Sequence, residues 1–193
     1  MPASPLLRGV YQAFHETFGA EDDGYTFPNG PGPIERLDVL VYRPGPDGEM
    51  TSFVTVGLSV EQMPVGDTGG RAHRAELRLA RRGAMSKPEE AAIAKHLANI
   101  AAHPWITGNQ LDWGQTLGVD AEFPGFAGCG AVFLAGPYEK EMLDYIVIDE
   151  VGVQIINVVP VTEHERSRAR TMSPADFLTG LVAEVDVFSG RNS

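Results

Sequence analysis

The chain has 193 residues, 43% hydrophobic and 21% charged, the size and composition of one ordinary globular domain whose core needs no metal or disulfide. Its formal net charge of -11 opposes phosphate backbones and anionic lipid, which argues against nucleic-acid and membrane partners and favours a cationic protein partner. The single cysteine, Cys129, excludes an intramolecular disulfide and any multi-cysteine metal site, and agrees with a reducing compartment.

The first residues, "MPASPLLRGVYQAFHETF", lack the basic start and unbroken apolar stretch of a signal peptide, because Arg8, His15 and Glu16 interrupt them. No segment approaches the roughly 20 apolar residues of a bilayer span, so a cytoplasmic protein is expected. Ser4-Pro5 is a helix-start pair, and Leu7, Val10, Tyr11, Phe14 and Phe18 follow at helical spacing. "GAEDDGYTFPNGPGP" then reads as turn chemistry.

"RLDVLVYRP" and "TSFVTVGLS" read as strands joined by the hairpin-like "GPDGE". In "HRAELRLA" strict alternation predicts Ala75, Leu77 and Leu79 toward the core and Arg74, Glu76 and Arg78 outward. "SKPEEAAIAKHLANIAAHPW" carries a capping box (Ser86, Glu89), Pro88 in its first turn and a stripe of Ile93, Leu97, Ile100 and Ala101, with Pro104 expected to stop the helix. The long connection "ITGNQLDWGQTLGVDAEFPGFAGCG" is of a length that is often functional. "AVFLAG" is a further strand, and "YIVIDEVGVQIINVVPVT" gives one or two more, covered on both faces. "SPADFLTGLVAE" repeats the Ser-Pro helix start. With no repeat and no linker, residues 1–193 form a single α+β (mixed α/β) domain, a mixed and mostly antiparallel β-sheet packed with about four α-helices.

No catalytic motif survives inspection. "TEHERSRAR" resembles a zinc-protease run, but the position four after His164 is Arg168, a cation, and Glu163, His164 and Glu165 point in three directions on a helix. Thr162 and Glu165 do have capping-box spacing, with acids in the first turn and Arg166, Arg168 and Arg170 after them. "VGLSVE" has Glu61 where a nucleophile elbow needs its second glycine, so Ser59 reads as a strand-end residue. "GDTGGRAHR" lacks the spacing and lysine of a phosphate loop, and "AEDDG" lacks the ligands of a calcium loop. Cys129 has no neighbouring base to activate it, and the five histidines form no ligand pair on one helix face. No cofactor and no metal are expected.

The order of "LDVLVYRP", "FVTVGLS", "AELRLA", "IAKHLANIA", "GQTLGV", "AVFLAG", "VGVQIINVVPVTEHE" and "PADFL" resembles the suppressor-of-fused domain. The resemblance covers residues 34–185, with 1–33 an N-terminal helix and loop packed on that region. It implies a mixed α/β fold and a binding protein rather than an enzyme. In the two-domain animal proteins the partner peptide lies between domains, and that clamp is not expected of one domain. Single-domain bacterial relatives resemble immunity proteins that neutralise polymorphic toxins by direct binding, and twelve Arg against three Lys agree with a GC-rich bacterial source.

The expected function is therefore non-enzymatic binding of a protein partner, a cationic toxin domain in the immunity reading, with the oligomeric state left open. Candidate partner-binding residues are Trp105, Asp112, Trp113, Tyr138, Glu139, Glu163 and Glu165. Two alternatives stand beside it. One is a hydrolase-like enzyme assembling Asp38, Glu76, His103 and His164 in the fold. The other is a homo-oligomeric regulatory protein with "AVFLAG" or "TSFVTVGLS" at a subunit interface.

Overall fold

A computed structural model describes residues 4–45, 49–66 and 70–191. Ser4 starts α1 (Pro5–Phe18) by accepting the Leu7 N–H, with Pro5 preset for the first turn. β1 (Asp23–Pro28) follows, where the sequence reads as turn. Its alternation is faint because Gly24 and Pro28 fill positions a strand usually gives to β-formers, yet it pairs antiparallel with β2 along its whole length. β2 (Arg36–Tyr42), β3 (Met50–Val56) and β4 (Arg74–Arg82) continue the antiparallel meander. The expected hairpin between β2 and β3 falls partly on residues 46–48, and the "GDTGGRAHR" run partly on 67–69, both outside the described residues.

α2 (Lys87–Thr107) opens on the Ser86–Glu89 capping box. Pro104 does not end it: the helix runs one more turn to Gly108, whose left-handed φ of 77° closes it. Proline at that position removes one N–H and leaves the following residues free to stay helical. β5 (Thr116–Gly118), β6 (Ala131–Ala135), β7 (Tyr145–Ile148) and β8 (Val151–Val161) complete an eight-stranded sheet of order β1-β2-β3-β4-β8-β6-β5, with β7 also on β8. Among the described strands only β4 and β8 pair in parallel. α3 (Glu163–Ala169) and α4 (Pro174–Glu184) end the chain.

Both faces of the sheet are covered, so alternation does not sort core from solvent. On one face Val39, Phe53, Leu77, Leu79, Leu134 and Ile156 pack under α2. The long 108–130 connection lies there too, with Phe123, Phe126 and Cys129 buried in that core; it is a lid over the core rather than an exposed loop. On the other face α1 buries Val10 and Phe14 against Val54 and Ile155, while α3 and α4 bury Ala169, Phe177 and Leu181 against Phe133 and Val159. Phe133 and Phe177 meet edge to face at 4.9 Å.

Glu76 is accordingly not outward. It is fully buried, and its carboxylate accepts four hydrogen bonds: from Thr55 Oγ1 (2.6 Å), Gly57 N (2.9 Å), Ser59 N (3.0 Å) and Ser59 Oγ (2.6 Å). Burial pushes its pKa up while those donors push it back down. Gly57 is required where β3 turns away, because its φ is 137° and a Cβ would lie 2.6 Å from the Arg36 carbonyl oxygen. Glu90 is the second fully buried acid. It takes a two-pronged ion pair from Arg43 at 2.7 Å on each oxygen, and Arg43 also reaches Asp23, tying β1 to α2.

"AVFLAG" and "TSFVTVGLS" are interior strands with neighbours on both sides and almost wholly buried side chains, so neither forms a subunit interface. Among the described residues no helix is long and apolar enough to cross a membrane.

Candidate protein-binding site at a split strand

β8 organises the site because it is eleven residues long and serves three partners. β4 runs along one edge. Asn157 pairs with both Arg78 and Ala135, and Gln154 with both Ala75 and Tyr145, so β6 and β7 lie on the same opposite edge. β6 and β7 are thus one strand interrupted: the chain leaves after Ala135, makes an excursion through residues 136–144, and rejoins the edge at Tyr145.

The interruption leaves the Ile155 carbonyl without a strand neighbour. Trp113 fills the gap by donating its indole Nε1–H to that oxygen at 3.1 Å. Gly136 lines the gap because a Cβ there would press to 3.2 Å from the indole. Asp112 fixes the plug from behind, its Oδ1 accepting from Trp113 N (2.7 Å) and from Gln154 Nε2 (3.1 Å). The exposed side of the indole meets Tyr145 edge to face, ring centres 5.6 Å apart.

From Tyr145 the β7–β8 hairpin turns on Asp149 and Glu150, both in the left-handed region with φ of 46° and 67°, a type I′ pattern with unusual residues for it. A two-residue turn makes Ile148 and Val151 the hydrogen-bonded pair, so the backbone groups of Tyr145 and Val147 point away from β8. No described strand takes them. The Tyr145 N–H is held by Asp144 Oδ1 at 2.7 Å. Tyr145 is 47% exposed and Val147 68% exposed, large values for a tyrosine and a valine in a strand. Asp144, Asp149 and Glu150 are exposed around them. Together these residues offer an extended segment main-chain hydrogen bonds, an aromatic and aliphatic surface, and a negative frame.

Of the residues expected to contact a partner, the structure brings together Asp112 and Trp113. Trp105 lies in the last turn of α2, half-buried against Gly32, with its indole N–H buried and, among the described residues, unpaired, and with the exposed Ile106 beside it. Tyr138 and Glu139 lie on the 136–144 excursion, Tyr138 tilted against Phe188 at 6.1 Å and Glu139 exposed. Glu163 is exposed and pairs with Arg166 at 3.2 Å. Glu165 is buried: it closes the capping box with the Thr162 N–H (2.7 Å) and receives Arg191 Nε at 2.9 Å. The "TEHE" run is therefore a strand-to-helix junction, with both halves of the box formed.

The enzyme alternative does not assemble. Asp38 sits on β2 with Arg36 and Thr26, His103 lines a separate concavity near Gln115, Glu76 is buried in its own network, and His164 is exposed on α3. Among the described residues no group of three or more His, Cys, Asp or Glu is placed to hold a metal ion. Burial pushes the Cys129 thiol up, which disfavours the reactive thiolate.

Sequence reasoning missed Tyr145 and Val147. The run "YIVIDEVGVQIINVVPVT" looks evenly apolar, and only the pairing of β7 with one neighbour leaves its first strand bare.

The family described as Suppressor of fused protein (SUFU) matches residues 34–189. The chain belongs to the suppressor-of-fused family. No curated protein sequence matches it. Among solved structures, a suppressor-of-fused homologue from Neisseria gonorrhoeae is similar over 96% of this chain and 94% of its own, with a TM-score of 0.70 and 18% identity. A chain of the Sufu–Fu complex is similar over 94% of this chain and 84% of its own, with a TM-score of 0.62 and 16% identity. Drosophila Suppressor of Fused is similar over 94% of this chain and 46% of its own, with a TM-score of 0.60 and 16% identity. These likenesses are of fold. In this chain "TVGLS" and "AELRL" are the two halves of the Glu76 network, tied through Thr55, Gly57 and Ser59.

Proposed function

We propose that this suppressor-of-fused chain is a non-enzymatic binding domain that takes up an extended segment of a protein partner along its β7 edge. We further propose that it acts as a bacterial immunity protein, neutralising a cognate cationic toxin domain in the cytoplasm. The observation that carries the binding reading is the unpaired β7 edge, with Tyr145 and Val147 exposed beside the Trp113 plug. The net charge of -11 and the exposed Asp144, Asp149 and Glu150 support a basic partner. The Sufu–Fu complex supports protein binding as a use of this fold.

The test uses Val147→Pro. The Val147 N–H points away from β8, so proline spares the hairpin while removing a donor and blocking the edge. The protein is co-expressed with the product of the adjacent gene. The expected result is rescue of growth and complex formation by the native chain, with at least about tenfold weaker binding by the variant, equivalent to about 1.4 kcal/mol, and an unchanged circular dichroism spectrum. Native-strength binding by the variant would dispose of the β7 edge as the site. A neighbouring product that is neither toxic nor bound would dispose of the immunity role.

A further inference from the structure

A different cavity, on the α1 face of the sheet, is unused by the β7 edge. Its volume is about 320 Å³, at the small end of the range for ligand pockets. α1 supplies one wall with Phe14 and Phe18, the 136–144 excursion supplies the other with Met142 and Leu143, and Ile155 and Arg78 line it from the sheet. Glu139, Lys140 and Glu141 are exposed at its rim.

Arg78 is what makes this cavity more than a packing gap. Its guanidinium is largely buried, and among the described residues it forms no ion pair, whereas Arg43, Arg82, Arg168 and Arg191 each meet a carboxylate within 3.1 Å. Its Nη1 donates to the neutral Asn157 Oδ1 at 3.2 Å, and its Nε–H is buried with no acceptor among the described residues. The Phe18 ring lies 5.7 Å from the guanidinium carbon and offers partial compensation through its face. Burial pulls the Arg78 pKa below the usual arginine range, and the nearby Tyr138 and Glu139 oppose that pull. A buried cation held by one amide and one ring is under-compensated, and a carboxylate delivered to the side of the guanidinium that lines the cavity would supply the missing opposite charge.

We infer that this cavity binds a carboxylate carried on a short apolar body, the acid group against Arg78 and the body between α1 and the 139–143 segment. The net charge of the chain works against anions at long range. At contact, an anion against the largely buried guanidinium outweighs rim acids that water screens. The volume accommodates a carboxylate with a single aliphatic or aromatic side chain, either a free small acid or the terminal carboxylate of a peptide ending in such a residue.

The test is titration of the full chain, followed by amide NMR or calorimetry. The free-acid arm uses hexanoate and 3-phenylpropionate, each against its alcohol. The peptide arm uses acetyl-Gly-Leu with a free C-terminus, against its amide. Acids binding at least tenfold more tightly than their neutral counterparts, with shifts at Phe18 and Leu143, is the expected result. Preference in the free-acid arm alone identifies a small metabolite, and in the peptide arm alone a partner's C-terminus; either supports the site. Arg78→Met keeps the stem and removes the charge, and abolishes the preference for the acid. Arg78→Lys, which keeps the fold's buried cation, retains a weakened preference and guards against a variant that merely fails to fold. Equal binding of acid and neutral probes, no binding of any, or acid binding untouched in Arg78→Met would overturn the assignment.

Discussion

Replacing Glu76 is the most demanding test of how this fold is held. Four donors converge on one buried carboxylate, and two of them, the N–H groups of Gly57 and Ser59, belong to the backbone and cannot rotate away. Each buried donor stranded by Glu76→Ala costs about 1–3 kcal/mol. The two hydroxyls find other acceptors more easily, so the backbone pair sets the scale, a loss of about 2–6 kcal/mol. Domains of this kind are stable by only about 5–15 kcal/mol, so the variant sits near the limit of folding. With a urea m-value of about 2 kcal/mol/M the midpoint falls by about 1–3 M. Glu76→Gln keeps a carbonyl oxygen toward Gly57 N, Ser59 N and Ser59 Oγ and turns an NH2 group toward the Thr55 hydroxyl, which must then rotate, a loss of about 1–2 kcal/mol. Acidity gives a second reading. Burial, acting first and against the four donors, raises the Glu76 pKa in the folded state. The native chain therefore holds that proton where the unfolded chain, near about 4.3, has released it. Stability contributed by this group falls as pH rises from about 4.3 toward the folded value, and Glu76→Gln removes that slope. Urea unfolding followed by circular dichroism across pH checks both effects. A loss below about 0.5 kcal/mol in Glu76→Ala, the size of a surface substitution, would refute the view that this network anchors the strand end.

Two further outcomes follow from the charged and sulfur groups. Asp23 is held down at about 2, first by the Lys87 ammonium and then by the Gly24 N–H and Arg43. Its contribution is fully present above the ordinary carboxyl value of about 3.9 and disappears as pH falls from there through the folded value, so Asp23→Asn flattens the acid limb of a stability profile measured between pH 5 and 2; identical slopes in both proteins would refute the pairing. Cys129 is buried with its thiol pushed up by burial, so a thiol reagent added to the native protein reacts at least about a hundredfold more slowly than in denaturant, and equal rates would show the 108–130 connection to be open.

Helix starts were the most readable part of the sequence, because each rests on a local pairing. Ser4-Pro5, Ser86 with Glu89, Thr162 with Glu165, and Ser173-Pro174 all cap the helices their spacing predicts. Sheet features depend on distant neighbours and read less well. β1 is spelled in turn residues and exists because β2 offers it a full register. The alternation in "AELRL" is real, but a second helical layer covers the face it assigned to solvent, and Glu76 needed Thr55, Gly57 and Ser59 to be buried there. The Asp112–Trp113 pair stood out as a candidate because tryptophan in a long loop is conspicuous. Tyr145 and Val147 did not stand out, since an apolar strand shows its exposure only when the strand order is known.

The strand order also bears on the choice between a foreign partner and a second copy of this chain. The sheet has three ends open to pairing. β1 is guarded by Pro28, which has no N–H to offer, and by the Asp23–Lys87 pair at its other end. β5 spans only Thr116–Gly118, too short to template a neighbour. Among the described residues β7 has no proline, no lysine and no further strand at its outer edge, yet exposed hydrophobic edges are what soluble proteins avoid. Its protection is electrostatic: Asp144, Asp149 and Glu150 surround it, and two copies meeting edge to edge would set these acids against one another. The same arrangement would admit a basic strand, whose charges relieve that repulsion while its backbone meets the outward groups of Val147 and the Tyr145 carbonyl. A bare edge that repels its own kind would discriminate in favour of the cationic partner proposed above, and on that proposal the β7 edge suits heterologous binding better than self-association.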